Sequence, residues 1–220
     1  MADEFFDSLV AAVEAFVGTS ATAPGASGAV DDISGIPGAL EKIREHPLAI
    51  DTGTEHQGVA RIRDYDPDFD LAAFLIRVGE MFSAYHAAVD RGDLTPVRRF
   101  VDERSYAELA KAADKTGRNP DGARTLTVKA IRPMTASHEL NVDMIRVFIT
   151  ANQGGSDELL CEYWELIRKV GTVTKPGLDL THCPNCGGPV DGLDPTRCAY
   201  CDTRLADPAL DWVARKITAQ

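Results

Sequence analysis

The stretch that decides the fold is DPDFDLAAFLIRVGEMFSAYHAAVDRG, residues 66–92. Its beginning is typical of a helix N-terminus, with Asp66 as the predicted cap and Pro67 in the first helical position. Apolar side chains then recur at helical spacing from Leu71 to Val89. Gly92 is typical of the residue that follows the last helical turn. The stretch therefore predicts one long amphipathic helix near the start of the body.

Two further helices are predicted directly after it. Thr95 and Pro96 start the first of them, and residues 103–115 form the second. The inner face of the first is predicted to hold Val97, Phe100 and Val101. Residues 117–122 contain two glycines and an Asn-Pro pair, which indicates a break.

The periodicity of the sequence then changes from 3.6 to 2, which is typical of strands. Three segments rich in Val, Ile, Thr and aromatic residues follow one another at residues 125–136, 138–152 and 158–170. Residues 154–156 read Gly-Gly-Ser and predict a hairpin turn between the last two. Helices followed by an antiparallel meander predict an α+β body.

Four of the five cysteines lie in the last 40 residues, as two C-x₂-C pairs separated by eleven residues. The predicted metal ligands are Cys183, Cys186, Cys198 and Cys201. Each pair forms a tight turn that directs two thiolates to one point, and two such turns complete a tetrahedral site for Zn²⁺. We therefore predict a zinc ribbon with one structural zinc per chain, because four thiolates leave no position for a catalytic water.

Other interpretations of the cysteines remain open at this point. A rubredoxin-like iron site uses the same ligand set, and a pair of disulfides would need an oxidising compartment. Gly187 follows the first pair, and Asp202, which tolerates an unusual backbone less well than glycine, takes the matching position after the second. His182 is interpreted as a surface residue beside the site.

The net charge of −11 is concentrated in the N-terminal arm: residues 1–60 contain ten acids and two bases, which gives −8. Acidity of this kind argues against nucleic acid as a partner. The first 17 residues nevertheless form an amphipathic helical pattern without a single Lys or Arg. A protein groove is therefore a better partner than an anionic membrane, although the pattern also permits packing on the chain's own body. The apolar stripe consists of Phe5, Phe6, Leu9, Val10, Val13, Phe16 and Val17.

The sequence predicts neither a transmembrane segment nor a secretory signal. The longest strictly apolar run has six residues, 71–76, whereas a spanning helix needs about 20. The N-terminus begins with acids instead of the basic residues of a signal peptide. We therefore expect a cytoplasmic protein, with a peripheral position on the inner face of the membrane left open.

Several other residues are weaker candidates for chemistry. Cys161 is interpreted as a small core residue, and neither His86 nor His138 has partners at a spacing typical of acid–base catalysis. Asp143 is expected to face outward, although an enzyme would use it as a general base. Trp164 is expected to pack in the core, with a ligand pocket as the alternative. We therefore predict no enzymatic activity.

The order of these elements resembles a known family. The body is similar to the Tim-type domain of bacterial proteins related to the C-terminal domain of the forty-four-kilodalton peripheral subunit of the mitochondrial presequence translocase. A bacterial subgroup of this family carries a C-terminal zinc ribbon followed by a tail that contains tryptophan. The matching residues are 66–70, Phe74-Leu75, Phe82, 92–94, 98–101, Tyr106, Trp164, 167–175 and 211–213.

The resemblance implies a cone similar to the nuclear-transport-factor-two-like fold, in which helices close a curved antiparallel sheet around an apolar pocket. It implies no catalysis and suggests a scaffold close to a membrane, with lipid binding. Basic membrane helices of the mitochondrial relative have no counterpart in the acidic arm. The residues expected to line the pocket are Phe74, Val78, Phe82, Tyr85 and Trp164.

The sequence thus predicts four segments: a docking helix (1–17), an acidic linker rich in Gly, Pro and Ser in which residues 38–46 could form a short helix (18–60), the Tim-type domain (61–180), and the ribbon with its tail (181–220). The leading hypothesis is an adaptor or accessory subunit that docks on a larger protein complex through residues 1–60. A lipid or quinone carrier that uses the cavity is the alternative, and an enzyme built in that cavity is the third hypothesis.

Overall fold

A computed structural model describes residues 49–50, 57–116, 126–153, 159–173, 175, 179–190 and 196–219 of the 220. The predicted docking helix and almost all of the predicted linker lie outside these residues, as does the predicted turn at 154–156. The helices are α1 (Gln57–Arg63), α2 (Leu71–Arg91), a 3₁₀ helix (Thr95–Arg99) and α3 (Glu103–Thr116). The strands are β1 (Ala49–Ile50), β2 (Leu126–Glu139), β3 (Val142–Gln153), β4 (Leu159–Lys169) and β5 (Val213–Ala219).

The strands form one sheet in sequence order, β1-β2-β3-β4-β5. β1 is parallel to β2, and the other neighbours are antiparallel. Helices come first and an antiparallel meander follows, so the predicted α+β class is confirmed. The last strand, β5, comes from the segment that the sequence grouped with the ribbon, and it pairs with β4 from Glu162 to Ile167.

The long helix α2 begins at Leu71, four residues after the predicted position. Its N-cap is Asp70, whose side chain accepts hydrogen bonds from the backbone N–H groups of Ala72 and Ala73 at 2.8 and 3.3 Å. The predicted cap, Asp66, lies instead in the turn before the helix and is fully buried. The predicted C-terminal glycine is confirmed, since Gly92 has a left-handed φ of 67°.

The core lies between α2 and one face of the sheet. Strand β3 alternates between buried and half-buried side chains, because successive residues of a strand point to opposite faces. Gly79 of α2 brings the helix close to the sheet, since a Cβ at this position would lie 3.0 Å from the Ile131 side chain. The predicted inner residues of the 3₁₀ region, Val97, Phe100 and Val101, are all buried.

Candidate metal centre

The candidate site is built from two backbone hairpins, residues 181–190 and 196–205. In the first, the Cys183 N–H donates to the Gly188 carbonyl at 2.8 Å, and in the second the Cys198 N–H donates to the Thr203 carbonyl at 2.9 Å. Each hairpin also contains one isolated antiparallel bridge at equivalent positions. The hairpins are therefore the same ten-residue unit repeated at an offset of fifteen residues, with Thr-x-Cys-x-x-Cys at the start of each.

Each hairpin turns through one residue with left-handed backbone. Gly187 has φ 73° and Asp202 has φ 56°, and their N–H groups donate to the carbonyls of Cys183 and Cys198, both at 2.9 Å. The two turn positions expected from the sequence are therefore equivalent. Arg197 binds both carboxylate oxygens of Asp202, at 2.7 and 2.9 Å, and these hydrogen bonds hold the pKa of Asp202 below its ordinary value.

Substitution of Asp202 tests the balance between backbone strain and side-chain bonding. We expect Asp202→Gly to leave the melting temperature almost unchanged, because relief of the left-handed strain offsets the lost exposed ion pair. Asp202→Ala loses the ion pair and keeps the strain, so its melting temperature should lie measurably below that of Asp202→Gly. Thermal unfolding of the two metal-loaded variants makes this comparison, and equal stabilities would contradict it.

The four cysteine sulfurs converge on one point. All four Sγ atoms lie within 4.8 Å of one another, and the pairs that join the two hairpins are 3.8 Å apart for Cys183 and Cys201 and 3.7 Å apart for Cys186 and Cys198. A metal–sulfur bond of about 2.3 Å in a tetrahedral site places its sulfurs about 3.8 Å apart. The sulfur positions therefore fit one tetrahedrally coordinated metal ion.

Backbone N–H groups are directed at the sulfurs, as thiolate ligands require. The amides of Asn185, Gly188 and Tyr200 each donate at 3.4 Å to the cysteine two residues earlier. Thr203 bonds Cys201 in the same way through its amide. Because all four sulfurs receive such a bond, the backbone is arranged for four thiolates.

We call Cys186 and Cys201 the outer ligands, because they are more exposed than Cys183 and Cys198. These two ligands differ in their hydrogen bonds. The hydroxyl and the amide of Thr203 lower the pKa of Cys201 to about 6. The Gly188 amide acts in the same direction on Cys186, but the contacts with neighbouring thiols, that with Cys201 first, raise its pKa to about 12. Without a metal ion, some of the four closely spaced sulfurs carry protons. A bound cation takes the place of these protons, so metal binding releases them. The four cysteines thus form a site suited to a structural metal.

The ribbon, residues 181–205, is inserted between β4 and β5. Its first hairpin is bonded by Lys175, whose Nζ donates to the carbonyls of Pro184 and Asn185 at 2.5 and 3.1 Å. Its second hairpin is joined to α3 by the ion pair of Arg204 with Glu103 at 2.5 Å. Sequence reasoning missed both anchors, and it also missed the repeat, which the shared Thr-x-Cys-x-x-Cys pattern would have shown.

A narrow cleft lies where the ribbon meets α2. Arg77, Leu180, Leu205 and Trp212 are among its lining residues, and it encloses about 20 Å³. That is room for about one water molecule, whereas pockets for organic ligands measure about 300–1,000 Å³. Arg77 and Asp211, which form an ion pair, both line it. The cleft is therefore a packed junction between the ribbon and the rest of the fold.

Residues 55–155 match the family model of the Tim44-like domain. The chain contains a Tim44-like domain. No curated protein matches the chain. The match covers the helices and the strands β2 and β3, so β4, the ribbon and β5 follow the matched part of the Tim44-like domain.

The five residues predicted to line a cavity belong to one hydrophobic core, to which Trp164 contributes from outside the matched residues 55–155. All five are buried, and the Trp164 ring is 6.1 Å from that of Phe82 and 5.7 Å from that of Tyr85. Phe74, in the first turn of α2, contacts Trp212 with ring centroids 4.9 Å apart. The predicted cavity beside these side chains stays a prediction.

A buried polar group adjoins these aromatic rings, and sequence reasoning missed it. His86 Nε2 lies 3.2 Å from Glu162 Oε1, and the Trp164 indole N–H donates to the other oxygen of Glu162 at 2.8 Å. Burial, followed by the charge of Glu162, raises the pKa of Tyr85 to about 12. No sequence spacing relates positions 86 and 162, because only the packing of α2 on β4 brings them together.

Asp143 is buried, which corrects the expectation that it faces outward. It accepts a hydrogen bond from the Tyr65 hydroxyl, and His138 Nδ1 lies 3.1 Å from its other oxygen. Burial raises the pKa of Asp143 above its ordinary value. Cys161 lies half-buried on β4, where burial raises its thiol pKa, and His182 is exposed as expected.

None of the described helices, α2 included, is both long enough and apolar enough to cross a bilayer.

Proposed function

We propose that this protein is a non-catalytic adaptor or accessory subunit, which docks on a larger protein complex through residues 1–60. The observation that carries the proposal is the Tim44-like domain at residues 55–155, because this family suggests an accessory role. In this proposal the protein is cytoplasmic, and its Tim44-like domain works near the inner face of the membrane. In this proposal each predicted segment has its own task. The helix at 1–17 docks on the partner, the linker at 18–60 connects it to the Tim-type domain at 61–180, and the last segment, 181–220, holds the metal.

The chemistry of the N-terminal arm, residues 1–60, favours a protein as its partner. It carries −8 of the total charge and also the apolar stripe that runs from Phe5 to Val17. Acidic side chains beside an apolar face are repelled by anionic headgroups but suit a protein groove that has basic residues on its rim. A Gly-rich linker of about 20 residues gives a root-mean-square reach of about 25 Å, so the arm can reach a partner without moving the body.

The metal is proposed to be zinc, one ion per chain, with a structural role. Four cysteines that all receive N–H bonds, in sulfur positions that fit a tetrahedron, support this assignment. Zinc bound there links the two hairpins and supplies no open coordination position for substrate.

The test of the docking hypothesis uses one added charge at two places in the arm. Val13→Glu places a carboxylate in the middle of the apolar stripe, whereas Ala11→Glu adds the same charge on the opposite side of the predicted helix. We expect Val13→Glu to reduce co-purification of the native complex by about tenfold or more, and Ala11→Glu to leave it almost unchanged.

The experiment is done by expressing the tagged full-length variants in the native host and quantifying the co-purified proteins. Both variants should show the melting temperature of the wild-type protein, which separates loss of docking from loss of folding. Equal recovery of the partner with Val13→Glu and the wild type would rule out docking through the arm.

A further inference from the structure

The two hairpins of the metal centre are equal in backbone but not in the protection of their outer sulfurs. Cys201 is half-buried. Three polar groups surround its sulfur: the Thr203 amide, the Thr203 hydroxyl at 3.3 Å, and the Asn185 side-chain amide at 3.7 Å, which also donates to that hydroxyl at 2.9 Å. When Cys201 is a metal-bound thiolate it can only accept, so the hydroxyl then donates to it. Cys186 is exposed and receives one N–H bond, from Gly188. The inner ligands Cys183 and Cys198 are only 1% and 3% exposed.

The repeat explains this asymmetry residue by residue. Position 185 of the first hairpin corresponds to position 200 of the second, where Tyr200 stands in place of an amide donor. Position 203, with its hydroxyl, corresponds to position 188, where Gly188 has no side chain. The Tyr200 ring lies beside Gly188, since a Cβ there would be 2.9 Å from it. Cys186 therefore lacks both side-chain donors that Cys201 has.

Hydrogen bonds and burial both reduce the reactivity of a metal-bound thiolate, because donors withdraw charge from sulfur and burial excludes the reagent. We propose that Cys186 is a modification site: the ligand at which peroxides attack the metal-loaded chain first, with Cys198 as the residue that completes a disulfide. The proposal concerns the four cysteines as ligands and does not depend on the adaptor function.

The chemistry balances as a two-electron oxidation. The Cys186 sulfur attacks one peroxide oxygen, the O–O bond breaks, and the second oxygen leaves as water after taking a proton. The Cys198 sulfur, 3.7 Å away, then attacks the Cys186 sulfur, forms the S–S bond and expels the first oxygen as a second water. Two thiolates, one hydrogen peroxide and two protons give one disulfide and two waters, and the cation loses two of its four ligands.

The first test measures the order of reaction on the zinc-loaded full-length wild type. The protein is treated with limiting N-ethylmaleimide, and all five cysteines are mapped by mass spectrometry over time. We expect Cys186 to be labelled about tenfold faster than each of the other three ligands. Faster or equal labelling of Cys201, or of either buried ligand, would overturn the proposal.

The second test follows hydrogen peroxide oxidation with a chromophoric zinc chelator and maps the disulfide. Zinc release should accompany a bond between Cys186 and Cys198. A bond between Cys183 and Cys186 as the main product, or zinc release with Cys186 still reduced, would overturn the assignment.

The third test uses the repeat to design matched variants. Tyr200→Asn supplies Cys186 with the amide donor that Asn185 gives Cys201, whereas Tyr200→Ala removes the ring and supplies no donor. Both variants should bind one zinc. We expect peroxide to release zinc several-fold more slowly from Tyr200→Asn than from Tyr200→Ala, and equal rates would contradict a protective role of the donor. Conversely, Asn185→Ala should increase labelling of Cys201.

Discussion

Removal of the metal should unfold the ribbon while the sheet of the Tim44-like domain remains folded. The reason is that the ribbon's own hydrophobic cluster is very small: its buried members are Cys183, Cys198 and Leu205, with Val190 and Cys201 packed against them. Three of these five residues are metal ligands, so little apolar surface remains without the ion. Structural zinc supplies about 10–16 kcal/mol to such sites, which is comparable to the whole stability of a typical domain, about 5–15 kcal/mol.

The measurement is hydrogen exchange of the full-length protein before and after chelation, and of the Cys198→Ser variant. Amides that close the hairpins, such as those of Gly187 and Asp202, should lose protection, while amides of β3 should keep it. Metal analysis should fall from about one zinc per chain to a small fraction of that, and iron in place of zinc would contradict the metal assignment.

The matched control is Cys161→Ser, which changes the half-buried cysteine of β4 that lies outside the metal cluster. It should retain the metal and the protected hairpins. Hairpin amides that stay protected after complete metal removal would show that packing alone folds the ribbon.

The second large effect is expected at the buried ion pair between Asp66 and Arg168. Arg168 Nη1 donates to Asp66 Oδ2 at 2.7 Å, and the two side chains are 1% or less exposed. The guanidinium also lies over the Trp212 and Phe69 rings, at 4.8 and 5.4 Å from their centroids. Arg168→Met removes the guanidinium that bonds the buried Asp66 carboxylate and should reduce the free energy of unfolding by about 3–5 kcal/mol.

Chemical denaturation of the metal-loaded protein measures this loss, and a matched pair of controls locates its cause. Combining Asp66→Leu with Arg168→Met removes both charges and should recover most of the stability, because a buried ion pair itself contributes little net free energy. Arg197→Met breaks the exposed pair with Asp202 and should leave the stability almost unchanged. A double variant as unstable as Arg168→Met would show that packing, and not the loss of the Arg168 charge beside Asp66, is responsible.

The helix start at residues 66–70 shows where local signals stop being decisive. Both Asp66 and Asp70 precede the apolar run, and capping preferences alone do not choose between them. The choice depends on Arg168, 102 residues away, which pairs with Asp66 in the core, so that Asp70 caps α2. The expectation that Asp143 faces outward was wrong for a similar reason, because the fold brings its partners Tyr65 and His138 to it.

The sequence by itself determined what depends on neighbouring residues. A helix end, a turn or a pair of metal ligands is specified within a few residues of chain. Four features are local in this sense: the spacing of the cysteines, the turn positions Gly187 and Asp202, the end of α2 at Gly92, and the change to strand periodicity. The order of the elements also sufficed for the α+β class and for the resemblance to the Tim-type domain.

Only the tertiary structure decided what depends on residues far apart. It pairs β5 with β4 although the ribbon separates these strands in the chain, and it joins His86 to Glu162. It also gives Cys186 and Cys201, which are equal in the sequence motif, different exposure and different donors. Burial and hydrogen bonding across the fold are properties of the packed chain, and a sequence motif carries neither.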